Sequence, residues 1–339
     1  MHASNDLPRL EATLRDAFAA LEGRGWGRGD IRHALVKLVD RRQVALFDAL
    51  VVLPGEGAGL EAWARHNGLA LDRVATMART LHALLTRLPR LAPDHAASSP
   101  AGNIDVAVLE RVRALLSKAE STTFEAEADA LSAKAQEMMA KHSIDRALLE
   151  GRAVSGATVA TRRFLIEDPY ARARFTLLSE VARACGCDAV LLEPLGIANV
   201  FGFGDDLTAV DLLYTSLLVQ ASTAVAAARP PGRRAASQLA AFRRAFLVAF
   251  AQRVGLRLTA VRSDAVHEAQ IAHGDSILPV LANRRSLVEA HMVQAAPNSR
   301  RMSQRLSDAG GYQAGQSAGD RATFSHQATL AGGQRALGE

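Results

Sequence analysis

Apolar residues recur at helical spacing through most of the N-terminal third of the chain. Leu10, Leu14, Phe18 and Leu21 lie three or four positions apart, which predicts one face of an amphipathic helix. Glycines and a Pro-Gly pair divide residues 7–90 into several stretches of this kind. We therefore expect residues 1–90 to form a helical domain. Residues 91–103 contain two prolines, two serines and a glycine, and are expected to form a linker.

A second helical pattern occupies residues 104–150. Ile104, Val108, Val112 and Leu115 mark one apolar stripe, and a second stripe follows a polar turn near residue 121. The members of the second stripe are Phe124, Ala128, Leu131, Ala135, Met138 and Met139. Two stripes joined by a short turn predict an antiparallel helical hairpin, in which each helix covers the apolar face of the other.

The pattern changes again after residue 157. Three short runs, at 159–166, 188–192 and 197–203, predict strands, and the last two flank a hairpin turn at 193–196. Helical patterns follow at 171–185, 207–228, 239–290 and 311–322. The expected fold class is therefore α+β and predominantly helical. It consists of the N-terminal helical domain, the helical hairpin, and a C-terminal α+β domain at 157–325 with a small three-stranded sheet, followed by a flexible tail at 326–339.

Composition narrows the class of protein. Apolar residues make up 49% of the chain and charged residues 22%, which excludes wholesale disorder. Aromatic residues are only 5%, which favours helices over a β-sandwich or barrel. The formal net charge is +5, but residues 229–339 alone hold 15 basic and 7 acidic residues. Such a segment attracts phosphate-bearing partners, nucleic acid among them, although arginine also serves as an ordinary surface cation.

The cysteines and the apolar segments indicate the cellular compartment in which the protein is expected. Cys185 and Cys187 are one residue apart, so a bridge between them would be strained and a secreted disulfide scaffold is excluded. No second Cys/His cluster has zinc-like spacing, and we expect buried reduced thiols, no metal and no cofactor. The long apolar stretch at 207–228 contains Asp211 and Gln220, which favours a buried helix over a membrane span. Together with a polar N-terminus, this predicts a cytoplasmic protein with no membrane partner.

One segment resembles a known family. The string LERVRALLSKAEST (Leu109 to Thr122), with its continuation FEAEA (Phe124 to Ala128) and KAQEMMAKHSI (Lys134 to Ile144), is similar to the bacterial and phage domain-of-unknown-function family 2786. The region after it, ending in GYQAGQSAGDR (Gly311 to Arg321), resembles the uncharacterised α+β domain that usually follows in that family. The N-terminal third resembles actinobacterial members loosely. The resemblance implies an architecture and no activity.

The predicted hairpin carries charged residues beside its turn. Lys118, Glu120, Glu127 and Lys134 suit contact with a partner or a phosphate group. They equally suit a solvated helix face, because a glutamate near a helix start is favoured by the helix dipole. Both interpretations stay open.

Three acidic residues and one arginine form a second candidate. Asp205 and Asp206 stand where a helix should begin, which indicates helix capping or, as the alternative, a Mg²⁺ site. Arg253 falls on the apolar face of its predicted helix, where a guanidinium needs an anionic partner. We expect a buried or half-buried ion pair of Arg253 with Asp205, Asp206 or Asp211. A ligand phosphate or carboxylate is the alternative partner.

The C-terminal region holds the third candidate. Tyr312, Gly315 and Gly319 lie on one side of a predicted helix, and glycines four residues apart indicate close approach of a neighbouring helix or of a ligand. Nearby arginines make this the segment best suited to a phosphate-bearing partner. The predicted anion- or nucleic-acid-binding set is Arg253, Arg300, Arg301, Arg305, Tyr312, Gly315, Gly319 and Arg321.

Three hypotheses about function follow. The first is a nucleic-acid-associated protein that binds through its basic C-terminal domain. The second is an enzyme or small-ligand-binding protein with an anion-binding pocket that joins Arg253, Asp205 or Asp206, and Tyr312. The third is a helical protein-interaction module in the N-terminal domain, which an exposed apolar patch would favour. No Ser-His-Asp, Cys-His or phosphate-loop arrangement is present in the sequence, so catalysis stays undecided and no protein partner is assigned.

Overall fold

The described part of the chain consists of helices and a small sheet. A computed structural model describes residues 3–52, 59–94, 106–121, 125–152, 158–230, 232, 235–300 and 306–322. Within these residues the protein is mostly helical, with one three-stranded antiparallel sheet, so the predicted α+β, predominantly helical class is confirmed. Most of the expected linker at 91–103 and all of the expected tail at 326–339 lie outside the described residues.

Two compact units divide the chain. Unit 1 comprises Met1–Asp94 and Leu191–Ala198, and unit 2 comprises His95–Val190 and Asn199–Glu339. The predicted hairpin at 104–150 and the predicted α+β region therefore share one unit. The turn between the second and third strands belongs to unit 1.

Unit 1 is a set of short amphipathic helices around a single apolar core. Its helices are α1 (Ala3–Glu22), α2 (Arg28–Leu38), α3 (Arg41–Phe47), α4 (Leu60–His66) and α5 (Leu71–Arg87), with a π-helical turn at Asp48–Val52. The Phe18 and Phe47 rings meet edge to face with their centroids 5.1 Å apart. Leu195 and Ile197, from the turn between strands, complete this core. His33 fixes the same turn by donating from Nε2 to the Gly196 carbonyl oxygen at 3.0 Å.

Unit 2 begins with the helical hairpin. Helix α6 (Val106–Ser121) packs against α7 (Glu125–Arg152) through Val112 and Ala135, which are both fully buried. Val108, Leu115, Met138 and Met139 surround them, as the apolar stripes predicted. Helix α6 contacts mainly α7. The hairpin therefore packs against the rest of unit 2 mainly through α7.

The sheet follows the hairpin and has helices on both faces. Its strands are β1 (Ala160–Leu165), β2 (Asp188–Leu192) and β3 (Ile197–Gly202), in the order β1-β3-β2, and α8 (Ala171–Ala184) connects β1 to β2. Gly196 closes the β2–β3 turn with a φ of 63°, a left-handed conformation that glycine adopts without strain. These bounds agree with the predicted strands to within two residues.

Four further helices complete the described part of unit 2. They are α9 (Gly204–Ala227), α10 (Ala236–His273), α11 (Ile277–Ala295) and α12 (Ala309–Asp320). The helical stretch expected at 239–290 is divided between α10 and α11, because Gly274 takes a φ of 73° and ends α10.

Alternating side chains of the sheet meet different helices. On one face, Arg162 Nη2 lies 2.7 Å from Asp211 of α9, and Phe164 packs edge to face on Tyr214 of the same helix. On the other face, Thr161 lies 3.4 Å from the His291 Nε2 atom of α11. The sheet is therefore covered by α9 and α11, in keeping with the two-residue period of a strand.

Helix α9 is the one described helix that is long and apolar enough to cross a membrane by length and composition. Its buried residues include Asp206 and Ser216, and Asp205, Asp206 and Asp211 all form ion pairs with arginines of unit 2. Charged partners at these positions are typical of a helix packed within a protein.

Candidate functional site

The glycines of the predicted C-terminal site serve helix packing. Gly311, Gly315 and Gly319 are four residues apart on α12 and lie directly on α10. A Cβ atom added to Gly315 would overlap the carbonyl oxygen of Phe246, and one added to Gly311 would overlap that of Phe242. The close approach expected at these glycines is therefore that of a neighbouring helix.

Arg253 pairs with a carboxylate other than those predicted. Its Nε donates to Asp320 at the end of α12, and the two side chains are 43% and 48% exposed. The expected pairing with Asp205, Asp206 or Asp211 in a buried or half-buried setting is wrong, because the packing of α12 on α10 brings Asp320 to the surface beside Arg253.

Two neighbouring contacts strengthen the same helix pair. Arg257 Nη1 donates to the carbonyl oxygens of Gly319 and Ala322, both at 2.8 Å, and so caps the end of α12. Tyr312 Oη donates to Gln252 Oε1 at 3.1 Å. Tyr312, Gly315, Gly319 and Arg253 are thus brought together, and each has a structural role in joining α12 to α10.

The remaining arginines of the predicted set have different positions. Arg300 and Arg321 are exposed, and Arg321 directly follows α12. Arg301 and Arg305 lie outside the described residues. A continuous positive face made by these four side chains stays a prediction.

Of the charged residues predicted for the hairpin, Lys134 takes part in a chain of ion pairs. Lys134 Nζ lies 3.0 Å from Glu137, and Lys141 Nζ lies 2.7 Å from Glu137 and 2.6 Å from Glu268 of α10. Hydrogen bonds from Lys141 and Lys134 lower the pKa of the Glu137 carboxyl group. Lys118 is exposed on α6, while the side chains of Glu120 and Glu127 lie outside the described part of the chain.

The strongest polar cluster of unit 2 joins the hairpin to α9. Asp206 is buried, accepts a hydrogen bond from Ser143 Oγ at 2.5 Å and lies 3.1 Å from Arg284 Nη2. The side chains of Arg284 and Asp206 are 13% and 5% exposed. The Arg284 guanidinium also stacks on Phe203, 3.7 Å from the ring centroid. Three elements, α7, α9 and α11, therefore converge on one carboxylate.

Asp205 has its own partners beside this cluster. Arg146 Nε lies 3.1 Å from its Oδ2 atom, and His142 Nε2 lies 4.0 Å away. The residue at the N-cap of α9 is Phe203, which makes no side-chain cap. The expectation that Asp205 and Asp206 cap a helix is therefore wrong, because both carboxylates turn toward arginines instead. In the described ranges, no three His, Cys, Asp or Glu side chains lie close enough together to hold a metal ion.

A cleft opens next to Asp206, where α7, α9 and α10 meet the end of α8. Counted together with its open mouth it holds about 410 Å³ of space, and its walls are mainly apolar. The apolar lining residues are Met139, Ala140, Ala184, Ala209, Leu213, Leu258 and Val261. The polar lining residues are Ser143, Cys185, Asp206 and Arg262. Neither Arg253 nor Tyr312 lines this cleft, so the pocket predicted to unite them with Asp206 does not form there.

Arg262 is the residue of this cleft that sequence reasoning missed. It is half-buried, and it makes no ion pair or side-chain hydrogen bond with any residue the structure describes. Its guanidinium lies against the backbone of Gly186, which has a φ of 80° and no side chain to displace it. A signal was present, because Arg262 shares a helix face with the buried residues Leu258 and Ala265.

The thiols beside Arg262 are poor nucleophiles. Burial raises the pKa of the Cys185 thiol to about 12, and the positive charge of Arg262 opposes this only in part. Burial also raises the pKa of the Cys187 thiol. Both thiols are unbridged and stay protonated at neutral pH, so the cleft presents one uncommitted charge, that of Arg262.

Comparison with known proteins finds a family match within the hairpin. Residues 107–146 match the family described as "Protein of unknown function (DUF2786)". This segment is the hairpin, and it supplies Met139, Ala140 and Ser143 to the cleft. Neither the curated proteins nor the solved structures yield a significant match to the chain.

Proposed function

We propose that this chain, which carries a DUF2786 hairpin, uses the cleft between that hairpin and helices α8–α10 to bind a small anionic ligand. The observation that carries the proposal is Arg262, a half-buried guanidinium that lines the cleft without a carboxylate partner among the described residues. Taking a charged side chain partly out of water is costly unless an opposite charge meets it. A bound anion would supply that charge.

The chemistry of the neighbouring groups favours binding. The Asp206 carboxylate already accepts hydrogen bonds from Ser143 and Arg284, so it is not available as a free base. The Cys185 thiol is protonated at neutral pH, since burial raises its pKa to about 12. Arg262 alone offers unused hydrogen-bond donors, arranged in the planar fork that suits a carboxylate or a phosphate.

A co-purification experiment tests the proposal. The full chain would be purified at low salt, denatured and extracted, and the released small molecules identified by mass spectrometry. We expect an acidic compound in stoichiometric amount with the parent chain and its loss in the Arg262→Gln variant. Arg244→Gln is the matched control, because Arg244 is an exposed arginine of the same helix.

The two variants separate the outcomes. Retention of the acid by Arg244→Gln and its loss from Arg262→Gln supports the cleft. Equal retention by both variants, or no acid in the parent chain even after addition of a panel of organic and inorganic anions, overturns it.

A second candidate function is association with nucleic acid through the basic part of unit 2. It is favoured by five arginines besides Arg262 that have no carboxylate within 4.0 Å among the described residues: Arg229, Arg243, Arg244, Arg300 and Arg321. Uncompensated guanidinium groups at a surface attract phosphate backbones. The proposal of a protein-interaction module in unit 1 lacks a comparable observation, since Val36 is the one strongly exposed large apolar side chain in its described part.

A further inference from the structure

The walls of the cleft restrict what its ligand can be. Side chains from α7, α9 and α10 present methyl, methylene and thioether groups, with Met139, Leu213, Leu258 and Val261 the largest of them. A small hydrophilic anion would satisfy Arg262 and leave these walls exposed to water. An apolar body attached to the anionic group would bury them, which is favourable by about 25 cal/mol per Å² of apolar surface.

The charges of the cleft limit the ligand to one negative group. Asp206 lines the same cleft as Arg262 and carries a negative charge that Arg284 and Ser143 hold in place. A second anionic group on the ligand would therefore face either this carboxylate or the apolar wall. Both positions are unfavourable for a charge.

The space available sets the size. The cleft and its mouth enclose about 410 Å³. Part of this space is open to solvent, so with roughly 30 Å³ for each water-sized group in a liquid, about a dozen non-hydrogen atoms is an upper limit.

From these observations we infer that the ligand is a monocarboxylic acid with an unbranched or cyclic apolar body of up to about eight carbons. Its carboxylate pairs with Arg262 and its body lies against α7, α9 and α10. The inference rests on the proposed function and adds the chemical class of the ligand to it.

Calorimetric titration of the full chain with four probes tests this class. Octanoate has the proposed chemistry, and octanamide keeps its body without the charge. Octanedioate adds a second carboxylate, and inorganic phosphate has charge without an apolar body. We expect octanoate to bind about 10- to 100-fold more tightly than each of the other three, the range that a charge-assisted hydrogen-bonded pair provides.

Variants of one residue connect the result to the cleft. Arg262→Gln should weaken octanoate binding by about 10- to 100-fold and leave octanamide binding unchanged, because only the charged pair is lost. Arg262→Lys should retain most of the affinity, and Arg111→Gln, which changes an exposed arginine of α6, should retain all of it. Far-UV circular dichroism would show whether each variant is folded. If Arg262→Gln does not fold, Arg262→Lys serves as the second measurement.

The outcomes distinguish this inference from the proposed function. If phosphate or octanedioate binds as tightly as octanoate and depends on Arg262, the anion site stands and the monocarboxylate class is overturned. If octanamide binds as tightly as octanoate, or if no probe depends on Arg262, both proposals are overturned.

Discussion

Asp206 illustrates how a single residue can hold several elements together. Its carboxylate is almost completely buried, with Ser143 of the hairpin on one oxygen and Arg284 of α11 on the other. A buried charge is tolerated when each of its lone pairs meets a donor, and removal of one partner leaves the other charge uncompensated. Asp206 therefore matters more for the integrity of unit 2 than its position in the first turn of α9 indicates.

The residue-scale prediction concerns this carboxylate. We expect Asp206→Asn to lower the free energy of unfolding by about 3–5 kcal/mol, because it removes the carboxylate of a buried ion pair while Arg284 stays buried. The matched control is Asp211→Asn, which removes a carboxylate of the same helix whose ion pair with Arg162 is about one-third exposed. That change should cost about 1 kcal/mol or less. Urea unfolding followed by circular dichroism measures both, and similar losses in the two variants would contradict the special role of Asp206.

At the scale of elements, α12 shows how glycine spacing positions a helix. Gly311, Gly315 and Gly319 form a side-chain-free ridge, and α10 approaches this ridge to backbone contact. The ion pair of Arg253 with Asp320 and the cap provided by Arg257 then join the far end of α12 to the same helix. These glycines are needed because no side chain fits between the two backbones.

The element-scale prediction concerns the addition of a single methyl group at this contact. Gly315→Ala should destabilise unit 2 by about 1–3 kcal/mol, since the new Cβ would overlap the Phe246 carbonyl oxygen and push α12 away from α10. Gly29→Ala in α2 is the control, because nothing lies within 4 Å of the added Cβ. Calorimetric unfolding and hydrogen exchange of residues 309–320 report the effect. Unchanged exchange in α12 of Gly315→Ala would show that the contact is not as tight as described.

For the molecule as a whole, the distribution of charge is uneven. The excess of basic residues lies at 229–339, and six arginines of this region, Arg262 among them, have no ion pair among the described residues. Other arginines of this region form ion pairs with carboxylates that lie close in space, such as Arg253, Arg284 and Arg285. The uncompensated part is what a nucleic acid would encounter, so the proposal of nucleic-acid association belongs to this scale.

The whole-molecule prediction is the dependence of nucleic-acid binding on salt. Anisotropy of a labelled single-stranded oligonucleotide should show affinity that falls steeply with salt concentration. The double variant Arg243→Gln/Arg244→Gln should reduce the slope of log K against log salt by about 1.4, or about 0.7 for each lost phosphate contact. The control is Arg41→Gln/Arg42→Gln, an exposed adjacent pair in unit 1 that changes the net charge equally. Equal effects of the two double variants, or no binding at low salt, would overturn nucleic-acid association through this region.

The sequence alone determined which segments form helices and strands. It also determined which apolar residues pack between the two helices of the hairpin. The hairpin of α6 and α7, the three strands and the helix at 309–320 follow from local periodicity, because apolar spacing and turn chemistry act over a few residues. The hairpin's family was recognisable for the same reason, since its motif is continuous in the chain.

Tertiary structure decided which charges meet. Asp320 takes Arg253, Arg284 takes Asp206, and Arg262 is left facing a cleft, although these residues are far apart along the chain. Arg253 and Arg262 are nine residues apart, which places them on opposite sides of α10. The packing of α12 beside Arg253 and of α7 near Arg262 then gives the two side chains different surroundings. Ion pairs and clefts depend on distances between elements, and a one-dimensional pattern of apolar positions carries little information about those distances.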